Sequence, residues 1–140
     1  MADRVLYTNE AALAEANVIQ TNLALSLIRL FDETLIPVPG TTLAELEAAE
    51  TALVGYPAGG YPVAAYAEPI FAPGGGAVIQ SALVQVVYAS GAAVSIGGYW
   101  VEDAAGLPRE VFIYDPPRTL AALGDGFPII AQFGYGRNTM

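Results

Sequence analysis

Apolar residues along this chain alternate with small or polar ones more often than they recur at helical spacing. In LALSLIRLF, Leu23, Leu25 and Leu27 alternate with Ala24 and Ser26, which predicts a strand over residues 22–32 with the leucines on one face. The second half repeats this rhythm between turn residues at fairly even intervals. AVIQSALVQVVYA predicts a strand over residues 82–89, SGAA a turn, and VSIGGYWVED the next strand. Within it, Gly97 and Gly98 mark a bulge or a close backbone approach. DAAGLP turns the chain, and REVFIYD alternates Val111 and Ile113 against Phe112 and Tyr114. TLAALGDGFPIIAQFGYG then offers a short helical or irregular piece, a turn over 124–126 and a last strand near 128–133.

Three stretches break the rhythm. NEAALAEAN forms either a short helix with Asn9 as its N-cap or an extended, partner-bound arm. After Pro37, Pro39 and Gly40 stop any regular element, Thr41 or Thr42 can cap a helix, and Glu45 stands three residues after Thr42 as in a capping box. Leu43, Leu46 and Leu53 would form the buried stripe of that helix, about two to three turns long, with Glu45, Glu47 and Glu50 facing water. Residues 55–76, rich in Gly and Pro and punctuated by Tyr56, Tyr61, Tyr66 and Phe71, predict a loop-rich connection with one short strand near 63–66. The fold expected is mainly β: a β-sandwich, jelly roll or small barrel with one short helix and an N-terminal arm. Residues 1–21 form the arm or short helix, and residues 22–140 a single β-rich domain.

Composition adds a surface to this picture. A chain of 140 residues buries about two-thirds of its unfolded surface around one core. With 54% hydrophobic and 14% charged residues, some apolar surface is expected to be covered by other subunits. The segment MADRVLYTNEAALAEANVIQ has neither the basic start nor the apolar core of a secretory signal. The most apolar segment, 18–31, is interrupted by Gln20, Thr21, Asn22 and Arg29, so no membrane span is expected. The net charge of −9, from five arginines, no lysine and fourteen acids, argues against direct nucleic-acid binding, which depends on neutralising phosphates.

The chain has no histidine, cysteine or lysine, which removes Ser-His and Cys-His catalysis, Schiff bases, disulfides and most transition-metal sites. Carboxylate chemistry remains. Trp100, Glu102 and Asp103 invite comparison with a glycosidase, whose two carboxyls stand about 5–10 Å apart beside an aromatic wall. Strand alternation, however, sends Glu102 with Trp100 to one face and Asp103 with Val101 to the other. Asp103 fits better as a turn residue that binds local backbone amides, with Gly106 taking a positive φ. No calcium loop is present, Gly74, Gly75 and Gly76 lack the order of a phosphate-binding loop, and Asp125 lacks a second motif to complete an aspartic dyad. No catalytic, cofactor-binding or metal-ligating residue is therefore expected.

LSLIRLFDETLIPVPGTTLAELEAAETALVGYP, GGYWVEDAAG and GDGFPIIAQF together resemble a family of small virion proteins of tailed bacteriophages. Shared in order are an LFxxxxxP strand end, a TTLAxLxxAE helix start, an aromatic GY and a GxxVxDAAG strand and turn, across residues 25–133. The resemblance implies a structural, non-enzymatic role without a cofactor: a capsid decoration (cement) protein on the outer surface of the virion, or else a neck, tail or fibre component. It implies the major capsid protein as partner and a symmetric homo-oligomer, a trimer if it docks at local threefold points of the lattice. Val5, Leu6 and Tyr7, apolar yet outside the core pattern, are the expected contact segment. The alternative from another class is a carbohydrate- or receptor-binding β domain that stacks ligands on Tyr56, Tyr61, Tyr66 and Trp100.

Overall fold

The computed structural model describes residues 9–23, 25–63, 65–67, 69–71 and 77–135. The contact segment expected at Val5, Leu6 and Tyr7 lies outside them. The elements in order are α1 (Asn9–Asn22), β1 (Leu27–Asp32), α2 (Leu43–Ala48), β2 (Tyr61–Pro62), β3 (Ile70–Phe71), β4 (Ala77–Gln80), β5 (Val84–Val87), β6 (Val94–Glu102), β7 (Pro108–Leu120), β8 (Gly126–Ile129) and β9 (Gln132–Tyr135). The protein is mainly β, with every described strand pairing antiparallel, and none of its sheets closes into a barrel. Among the described residues no helix is long and apolar enough to cross a membrane.

The chain folds into two compact units, one of residues 1–24, 64–82 and 130–140, the other of residues 25–63 and 83–129. In the first, α1 packs on the sheet β3-β4-β9. Ala16, Leu23, Ala77, Ile79, Ala131 and Phe133 are buried there. Ser81 ties the ends of β4 and β9: its N–H donates to the Ala131 carbonyl at 2.8 Å and its Oγ accepts from the Ala131 N–H at 2.8 Å. In the second unit, the sheet β2-β1-β6-β7 carries α2 on one face, where Phe31, Leu46, Ala49 and Trp100 make a buried cluster flanked by Leu35, Leu43 and Val111. The pair β5-β8 belongs to the same unit, and Phe127 of β8 meets Tyr114 of β7 edge-on at 5.3 Å.

Several expectations are corrected. The described residues hold two helices, and of the two readings of NEAALAEAN, short helix or extended arm, the helix is the one formed, as α1. The strand expected over residues 22–32 begins only at Leu27: α1 runs through Asn22, and Leu25 turns the chain with φ 64°, leaving its side chain 83% exposed while Leu23 is buried. α2 has the expected capping box, Thr42 Oγ1 accepting from Glu45 N–H and the Glu45 carboxylate from Thr42 N–H. It stops after Ala48, because Glu50 enters a bridge with Phe31 and Thr51 N–H donates to the Leu30 carbonyl at 3.0 Å. Leu53 is buried outside the helix. The short strand expected near 63–66 is replaced by β2 and β3, with Tyr66 in a single bridge to Ser81. The strand expected over 82–89 forms as β5, with β4 an additional strand before it, and the strand expected near 128–133 becomes two, β8 and β9. β4 pairs β9 in one unit while β5 pairs β8 in the other, so each apolar run is divided between two sheets.

Candidate functional site

Trp100 and Glu102 belong to β6, an inner strand of the four-stranded sheet, and Asp103 follows in the turn. Register places Arg29 opposite Trp100 and Leu27 opposite Glu102, so Arg29, Trp100 and Glu102 share the α2 face. The indole is fully buried, with the Phe31 ring centroid at 6.5 Å and the Arg29 guanidinium 4.9 Å from its own centroid. Arg29 grips two carboxylates. Nε and Nη2 donate to the two oxygens of Glu50 at 3.0 and 2.7 Å, a parallel fork, and Nη1 donates to Glu102 Oε1 at 3.0 Å. Trp100 Nε1 also donates to Glu102 Oε1, at 3.3 Å, and the Tyr56 hydroxyl donates to Glu50 while accepting the Leu30 N–H at 3.2 Å.

The electrostatics follow from this geometry. Hydrogen bonds donated to Glu50, with the nearby Glu102, hold the Arg29 guanidinium firmly protonated against the cost of burial. Burial pushes the Glu50 carboxyl upward, but the hydrogen bonds from Arg29 and Tyr56 outweigh it and leave the group below its ordinary value. The Tyr56 hydroxyl is pushed above its usual range by burial and by its bond to Glu50. The cluster is therefore charged and closed: its acceptors are spent on Arg29, Tyr56 and Trp100, and it clamps β1, β6 and the segment after α2 together. Glu50 does not face water as the helical stripe predicted, and Glu102 is buried at 8% exposure. An arginine flanked by Leu and Ile inside a strand was the available signal for such a clamp, since a buried cation demands partners.

Asp103 is the turn residue that its spacing predicted. Oδ1 accepts from the N–H of Ala105 at 3.0 Å and of Leu107 at 2.9 Å, and Oδ2 accepts from Arg109 Nε at 2.8 Å. Gly106 closes the turn at φ 84°. Burial raises the Asp103 carboxyl, and the backbone donors and Arg109 more than reverse that, holding it low. Gly97 and Gly98 mark a close approach, also as expected: a Cβ on Gly98 would stand 2.0 Å from the Phe112 carbonyl oxygen.

The aromatic residues anticipated as a stacking platform are divided between the two units. Tyr56 and Tyr61 meet edge-on at 5.4 Å, Tyr66 tilts against Phe133 in the other unit, and Trp100 is inaccessible. A different set comes together. Tyr99 stacks on Phe112 at 5.3 Å, Phe112 meets Tyr114 at 5.4 Å, and Arg118 lies over the Tyr114 ring at 5.1 Å.

An open apolar feature lies along β7. This strand ends the sheet order, and among the described residues no strand pairs with its outer edge. Leu107, Phe112 and Ile113 are about half exposed, and on the loop before α2 Ile36 and Val38 are 81% and 62% exposed. Between the loop and the strand runs a groove of about 390 Å³, lined by Pro37, Val38, Leu46, Val111 and Ile113 among others. Gly98 pairs with Ile113 and Ile96 with Arg118, so residues 114–117 bulge out opposite Gly97 alone and end the open edge. Among the described residues no group of three or more acids is placed to hold a metal ion. No family model, curated protein or solved structure matches the chain.

Proposed function

We propose that this chain is a structural virion protein of a tailed bacteriophage, a capsid decoration (cement) protein that docks on the outer surface of the head against the major capsid protein. The observation that carries the reading is the apolar border of the second unit, where Val38 and Ile113 stand exposed along the groove and Ile36, Leu107 and Phe112 are exposed on the segments that flank it. Clustered apolar side chains of this kind mark surfaces that other proteins cover. The particle itself is suggested by the ordered motifs shared with small virion proteins, from LFDETLIP to VEDAAG. A net charge of −9 suits a position outside the packaged DNA. A neck, tail or fibre position would use the same border in fewer copies.

Quantitative peptide mass spectrometry on purified particles tests this, by comparing copies of the chain with copies of the major capsid protein. A simple ratio repeated over the lattice is expected. A few copies per particle would move the protein to the neck, tail or fibre, and absence from the particle would overturn the virion reading.

A further inference from the structure

We infer that the outer edge of β7 pairs antiparallel with β7 of a second copy, about a twofold axis at Phe112, joining two four-stranded sheets into one of eight. An open strand edge presents unpaired N–H and C=O groups, and natural sheets blunt such edges with short strands, lysines, prolines or bulges. The devices are present here only at the ends. Pro108 begins the strand, the register slips at Arg109 between the pairs Glu102–Pro108 and Val101–Glu110, and the bulge over 114–117 with Pro116 and Pro117 interrupts it, leaving residues 110–113 open. That window holds no lysine, and its apolar residues lie on both faces: Phe112 opposite Tyr99 on one, Val111 and Ile113 opposite Trp100 and Gly98 on the other.

The register follows from symmetry. Residues directly opposite in an antiparallel pair share a face, so a twofold axis must pass through one residue facing its own copy. An axis at Arg109 or Glu110 sets like charges against each other. An axis at Val111 opposes Glu110 to Phe112 and Arg109 to Ile113, and one at Ile113 opposes Val111 to Asp115. With the axis at Phe112, the two Phe112 rings meet, Val111 faces Ile113, and Glu110 faces the Tyr114 hydroxyl where the bulge begins. Every pair is complementary, and a second Ile113 arrives beside Val111, a residue that lines the groove.

This pairing does not depend on virion membership, and the two fail in different experiments. The chain has no cysteine, so a single introduced thiol reports its own contacts. Across an antiparallel pair, opposed Cα atoms lie about 4.5–5.5 Å apart, within reach of a disulfide. Under mild oxidation in solution, the Phe112→Cys variant of the full chain should become a covalent dimer, whereas Leu123→Cys, at an 80% exposed turn position, should not. Phe112→Lys should raise the dimer dissociation constant about 30-fold or more by sedimentation, the scale of an interface hot spot. It should leave the emission of buried Trp100 unchanged. A Phe112→Cys protein that stays monomeric, or that links no better than Leu123→Cys, would overturn the inference whatever Phe112→Lys does.

Discussion

β6 and β7 are hydrogen-bonded neighbours of similar apolar content, yet from Ile96 to Glu102 β6 is buried throughout, while β7 is exposed or half-exposed until Leu120. Composition accounts for part of this, since β7 carries four charged residues to one in β6, and position for the rest. β6 has strands on both sides and α2 across one face, so even Glu102 is enclosed and must be neutralised by Arg29. β7 has one neighbour, so Glu110 and Phe112 stay at the surface beside a groove that nothing in the unit fills. A central strand spends its polar groups on internal partners, and an edge strand keeps its apolar ones available for external ones.

The contrast can be broken most forcefully at the two arginines. Arg29→Met leaves Glu50 and Glu102 without their cation in a nearly closed space, and stability should fall by about 3–5 kcal/mol in chemical denaturation. Arg109→Met removes a partly exposed partner from Asp103, which keeps its two backbone donors, and should cost under about 1 kcal/mol. Equal losses would refute the distinction between a central and an edge cation. Next in size is Gly98→Ala, whose methyl group would press on the Phe112 carbonyl and the Phe31 ring. A loss of about 2–3 kcal/mol is expected, with β6 and β7 forced apart.

Acid should destabilise the fold through its enclosed carboxylates. Glu50 and Asp103 both titrate below their ordinary values of 4.5 and 3.8 in the folded protein. The stability they contribute is therefore complete above those values and is lost as pH falls through the lower, folded ones. Thermal scans between neutrality and strong acid should show the melting temperature dropping through that window, and Glu50→Gln should flatten the drop. A profile unchanged by Glu50→Gln would mean that its bond to Arg29 adds nothing to the native state.

Features decided locally were legible in the sequence. The capping box of Thr42 and Glu45 lies within one turn, as does the loop from Asp103 to Gly106, and both formed as spaced. What was not legible depended on distant partners. Nothing in TTLAELEAAE says that Glu50 will leave the helix to bridge Phe31, nor in AVIQSALVQVV that Ser81 will bond Ala131 and end the strand. The alternation in REVFIYD correctly gave two faces, but periodicity carries no information on how many neighbours a strand has, and that number decided which apolar residues stayed open.

The smallest stability effect bears most directly on function. Glu102→Gln keeps the shape of the side chain but removes a charge from Arg29, and about 1–2 kcal/mol should be lost. Glu110→Gln, eight residues on at an exposed edge position, should change stability by no more than about 0.5 kcal/mol. Both substitutions remove one negative charge, so a general electrostatic effect of the acidic chain would move them alike. If β7 is an edge held open for a partner, Glu110→Gln should instead alter self-association, because Glu110 would face the Tyr114 hydroxyl of the second copy. A variant neutral in folding and weaker in association would thus separate the role of β7 from that of β6 by a single atom exchange on each strand.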